Sequence, residues 1–169
     1  MVSLKIRIGN KIYKISLFDL IVLSVVAKYK VVPKFYIAKK LPDEIDYIVL
    51  RKDKITHRKI LKSLDNLKKL GLISVINLTY YRKTYSRAPY ILAEVLLNEF
   101  PFLKKIGLDK YSLEELLKQY SRYKTLLVVS PDVDYKSVKE LIEIITKLRN
   151  TILEFANRKN EKAATSSDK

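Results

Sequence analysis

Between residues 51 and 90 the chain carries eleven Lys and Arg side chains against two acids, Asp53 and Asp65. More than half of the net charge of +16 therefore lies in under a quarter of the 169 residues. Positive charge gathered in this way attracts and holds polyanions, so DNA, RNA or an anionic membrane surface are the partners it favours. Covalent chemistry finds few candidates. With no Cys there is neither a thiolate nucleophile nor a thiolate metal site, and one His and three Gly supply neither a supported triad nor a Gly-rich phosphate loop. The acid pairs Asp43-Glu44, Glu114-Glu115 and Asp132/Asp134 fall at helix starts or turns, where capping and the helix dipole account for them. The expectation is a binding protein that is not an enzyme and uses no metal or cofactor.

The cations need an element to present them. Over Thr56 to Ile73, Ile60, Leu61, Leu64, Leu67 and Leu70 recur at three- and four-residue spacing, which is one face of a helix. Thr56 suits the N-cap and Gly71 the left-handed residue that ends the helix. Arg58, Lys59, Lys62, Asn66 and Lys69 fall on the other face. The β-prone run Leu72-Ile73-Ser74-Val75-Ile76 follows directly.

Upstream, the alternating runs 4–8 and 12–15 joined by Gly9-Asn10 predict a β-hairpin with a type I′ or II′ turn. Ser16 to Asp19 opens a helix to about Tyr29 that is apolar nearly all round and so belongs inside a core. Pro33 suits the first turn of a second helix, and Ile37-Ala38-x-x-Leu41 follows it. Downstream, 72–80 reads as a strand, 81–87 as a basic loop and 88–93 as a returning strand. Residues 94–106 read as a short helix or an irregular packing segment. Ser112 to Glu115 forms a capping box for a helix to about Val128, broken by Ser130-Pro131-Asp132. A last helix, about 134–157, carries Val138, Leu141, Ile145, Leu148, Ile152 and Phe155 at alternating spacings of three and four, the a/d pattern of a coiled coil. These six residues predict a dimerisation seam, although the same stripe could pack on the 112–128 helix of its own chain. Residues 158–169 have the composition of a disordered tail.

The motif Ile60-x3-Leu64-x2-Leu67-x3-Gly71-Leu72-Ile73, followed by a basic hairpin, resembles the recognition helix and wing of the winged helix-turn-helix DNA-binding family. Ile37-Ala38-x-x-Leu41 is similar to the first helix of such a pair. The resemblance covers about residues 15–95. It implies that His57, Arg58, Lys59, Lys62 and Ser63, with Lys54 and Thr56 beside them, face the major groove. It also implies that Arg82, Lys83, Thr84, Tyr85 and Arg87 make the wing contacts. Arg58 has the planar fork that matches guanine O6 and N7, while Lys59 and Lys62 suit bases or phosphates equally. The family's turn takes a few residues, whereas Pro42 to Ile55 takes fourteen and includes a candidate strand, Tyr47 to Leu50. Either the turn is lengthened, with Arg51, Lys52 and Lys54 adding contacts, or the helix pairing differs in detail.

The expected fold is α+β and mainly helical. It comprises a winged-helix domain with an N-terminal hairpin over 1–106, a coiled-coil-like helical dimerisation region over 107–157 and the tail. The expected function is sequence-specific double-stranded DNA binding as a homodimeric transcriptional regulator. The alternatives are a sequence-neutral architectural or genome-maintenance protein and a winged-helix protein–protein scaffold. The most apolar window, Ile15 to Ala27, contains Asp19 and is too short to cross a bilayer. With no signal peptide apparent, a cytoplasmic protein with no membrane partner is expected. Its composition, rich in Lys, Ile and Tyr and lacking Trp and Cys, is similar to that of archaeal and archaeal-virus proteins. No effector ligand is legible.

Overall fold

The computed structural model describes residues 3–44 and 56–167; the strand expected at Tyr47 to Leu50, the charged turn after it and the candidate contact Lys54 lie outside them. The chain is α+β and mostly helical, with two small sheets. Strands β1 (Ser3–Ile8) and β2 (Lys11–Ser16) pair antiparallel with Ile8 opposite Lys11. Gly9 has φ +61° and Asn10 a negative φ, so the two-residue turn is type II′. A Cβ at Gly9 would also lie 3.3 Å from that of Asp132.

Helix α1 (Leu17–Tyr29) follows at once, its start fixed by the Ser16 hydroxyl accepting from the Asp19 N–H at 3.1 Å. Every residue from Phe18 to Ala27 is buried. The polar Ser24 among them is satisfied within the helix, donating to the Ile21 carbonyl at 2.6 Å. The expected central helix is thus the hub of the core, touching helices on several sides and both sheets. It ends at Lys30, whose φ of 64° and ψ of −47° turn the chain sharply into β3 (Val31–Pro33). Pro33 closes this strand opposite Leu126 instead of opening a helix; helix α2 starts later, at Tyr36, and runs to Glu44.

After α3 (His57–Lys69) come β4 (Ile73–Asn77), α4 (Leu78–Thr84), α5 (Pro89–Glu99), α6 (Phe102–Lys105), α7 (Lys110–Gln119), β5 (Thr125–Val129) and α8 (Tyr135–Ser167). The second sheet has the order β3-β5-β4, antiparallel throughout, so the last strand in sequence is the middle one in space. Ile73 faces Val129 and Asn77 faces Thr125.

Three further expectations fail. The wing is not a hairpin: 78–84 and 89–99 are helices, and β4 pairs instead with Thr125–Val129, a stretch expected to be helical. The Asn77 side chain accepts from the Tyr80 N–H at 3.2 Å and nucleates α4, whose Leu78 and Tyr81 then point inward together. Pro89 sits in the first turn of α5, with Leu92, Ala93, Leu96 and Leu97 forming its buried stripe. Second, Asp109 and not Ser112 caps α7; its carboxylate accepts from the Ser112 N–H at 2.7 Å, and the helix stops at Gln119. Leu126 to Val129 are all buried because the strand is central, and a continuous apolar run carries no periodicity to distinguish strand from helix. Third, α8 runs on to Ser167, through the stretch expected as a disordered tail.

Candidate nucleic-acid interface

Local chemistry places α3 as the sequence requires. The Thr56 hydroxyl accepts from the Lys59 N–H at 3.2 Å. At the other end Gly71, at φ +76°, donates to the Lys68 carbonyl while Leu72 donates to Leu67, both at 3.0 Å, a Schellman motif. Ile60, Leu64 and Leu67 are buried against α1 and the sheet. Asn66 Nδ2 donates to Asp19 Oδ2 at 2.7 Å, which ties α3 to the hub helix and engages its acid.

The outward face carries His57, Arg58, Lys62, Lys68 and Lys69 exposed, with Lys59 half-buried beside them. Lys69 pairs with Asp65 at 3.1 Å, an exposed i,i+4 contact worth only ~0.3–0.5 kcal/mol. Arg58, Lys59, Lys62 and Lys68 have no acidic partner among the described residues. The His57 ring lies parallel to that of Phe35, 6.4 Å between centroids, and Phe35 is 63% exposed at the entry to the helix. Ser63 does not belong to this face. It is buried on the inner side, and its hydroxyl has no partner among the described residues.

The residues expected in the wing divide. Arg82 turns inward, its guanidinium donating to the carbonyls of Tyr123 at 2.7 Å and Tyr120 at 3.2 Å, at and just beyond the C-cap of α7. Burial and then the nearby Arg87 lower its pKa. The Tyr85 hydroxyl donates to Glu99 Oε1 at 3.1 Å, and the buried Tyr81 donates to the other carboxylate oxygen. Accepting from Tyr81 holds Glu99 beside it, and this hydrogen bond, then burial, pushes the Tyr81 hydroxyl up to about 12. Lys83, Thr84 and Arg87 are exposed. Arg122 and Lys124, which sequence patterning does not connect to them, line the same cleft as Arg82, Lys83 and Arg87. The pairing of β5 with β4 and the packing of α5 on α7 bring the two stretches together.

The expected dimerisation stripe also divides. Val138 is buried in the chain's own core, and Leu141 and Ile145 pack against that core. Leu148, Ile152 and Phe155 are exposed, as are Ile144 and Leu153. The buried residues of the helix are Val138, Ile142 and Thr146, with Leu141 and Ile145 half-buried beside them, so the inward stripe is broader than the predicted one and shifted from it.

No family model, curated protein or solved structure matches this chain. No helix among the described residues is long and apolar enough to cross a membrane.

Proposed function

We propose that the chain is a winged helix-turn-helix protein whose α3 enters the major groove of double-stranded DNA, and that it acts as a dimeric, sequence-specific transcriptional regulator. One observation carries this reading. A capped helix buries its apolar stripe on the core and turns outward four cations with no acidic partner among the described residues. Such a face is suited to phosphates and base edges and contributes little to folding. The chain order lends support: a helix, a short strand, two helices and a strand whose antiparallel neighbour returns later to the sheet. Residues 78–124, folded into α4 to α7, occupy the connection that a wing would make.

The dimer rests on the far half of α8. Beyond Thr146, residues 147–159 are exposed apart from the half-exposed Asn150, yet they include Leu148, Ile152, Leu153 and Phe155. A projecting helix is marginal in water on its own, and a matching helix from a second copy would cover this stripe. The seam is therefore Ile144, Leu148, Ile152 and Phe155, without Val138.

Fluorescence anisotropy with several duplexes, one drawn from DNA flanking the protein's own gene, tests the function. A regulator gives roughly a 1000-fold or larger gap in affinity between duplexes. Equal affinities would make the protein architectural, and no binding to any duplex would remove the DNA-binding reading.

A further inference from the structure

We infer that the cleft between α4, α5 and α7 is a binding site for a compact phosphorylated anion, a small molecule carrying two or three linked phosphates. The cleft has a volume of about 590 Å³, within the ~300–1,000 Å³ typical of small-molecule sites. Arg82, Lys83 and Arg87 line one side, and Arg122 and Lys124 come from the return to β5. No acid lines it. Two other clefts of similar size each include acids: Asp19 and Asp65 beside α3, and Glu94 and Asp109 beside α7.

The arrangement is built for a ligand more than for solvent. Arg82 lines the cleft while two carbonyls hold its guanidinium in place, and three of its five N–H donors are not used by those two bonds. Its neighbour Arg87 repels it, and no carboxylate among the described residues lines the cleft to relieve that repulsion. A multiply charged anion between them would do so. The Thr79 and Ser121 hydroxyls add neutral donors, and Leu92 and Leu117 give the cleft an apolar floor suited to the rest of a small molecule. The concavity separates this ligand from a duplex, whose phosphates meet protruding side chains. The site does not depend on what α3 binds.

Titration of the full chain with inorganic tripolyphosphate at constant ionic strength, by calorimetry and thermal unfolding, tests the proposal. One saturable site per chain is expected, with Tm raised by roughly 5–10 °C at a hundredfold excess over Kd. Arg87→Ala with Arg122→Ala removes two exposed cations that make no structural hydrogen bond described above, so the fold should be kept while affinity falls at least tenfold. Arg58→Ala with Lys62→Ala should leave it within twofold. Non-saturable binding, or equal loss in both double variants, would overturn the site as mere charge screening. Absence of tripolyphosphate binding, with duplex affinity falling in the cleft variant, would overturn it in favour of a duplex contact.

Discussion

Arg58 on α3 and Arg82 on α4 come from neighbouring stretches of similar composition, and the fold treats them in opposite ways. Arg58 stands on a helix already anchored by Ile60, Leu64 and Leu67, so its guanidinium is left in solvent with no acidic partner among the described residues. Arg82 stands on a seven-residue helix and joins α4 to the end of α7. Charge alone therefore does not identify a binding residue. Arg82 commits two of its N–H donors to the fold, whereas Arg58 stands exposed on a helix that its own apolar face already fixes.

Substitutions can break this contrast, and the largest effect should come from the anchor itself. Leu67→Ala leaves a cavity beneath α3 and should cost ~2–5 kcal/mol in chemical denaturation, because Leu67 is fully buried. Arg82→Ala comes next, at about 1.5–3 kcal/mol, since it removes charge-assisted hydrogen bonds to two carbonyls. Arg58→Ala with Lys62→Ala should change stability by no more than about 0.5 kcal/mol per substitution while weakening duplex binding roughly tenfold or more. A stability loss there as large as that of Arg82→Ala would end the contrast.

The dimer seam can be sharpened in the same way. Leu148→Asp with Ile152→Asp should halve the mass seen in light scattering without a loss of helical signal from the core. An unaltered mass would remove the seam. The smallest effect belongs to the Tyr81–Glu99 contact. The folded-state pKa of Tyr81, about 12, lies above the ordinary value of 10.0, so its contribution is fully present below pH 10 and is lost as pH rises towards 12. Tyr81→Phe should lose less stability over that window than the parent chain, and parallel pH profiles would count against the contact.

Where the determinants are local, the sequence is legible. The hairpin follows from alternation around Gly9-Asn10, α1 from its apolar run after Ser16, and α3 from Thr56, its stripe and Gly71. The larger failures share one cause, which is partner choice at long range. Thr125 to Val129 becomes a strand because β3 and β4 flank it, and residues 78–84 become helical because Asn77 caps them and Tyr81 finds the core. Ser63 lies three residues after Ile60 and four before Leu67, so helical spacing sets it on the buried stripe although its residue type suits solvent. The basic cleft could not be read at all, since Arg87 and Arg122 share it only through the packing of α5 on α7 and the return of β5 beside β4.

The central claim is that α3 presents its cations to duplex DNA, and the salt dependence of binding tests it most directly. For a dimer making roughly 6–10 phosphate contacts, log K should fall linearly with log salt at a slope of about −5 to −9. Arg58→Ala with Lys62→Ala should make the slope shallower by roughly 2–4, each lost phosphate contact counting for about one in every protomer. A slope unchanged by that double substitution would place the DNA elsewhere on the molecule and contradict the account.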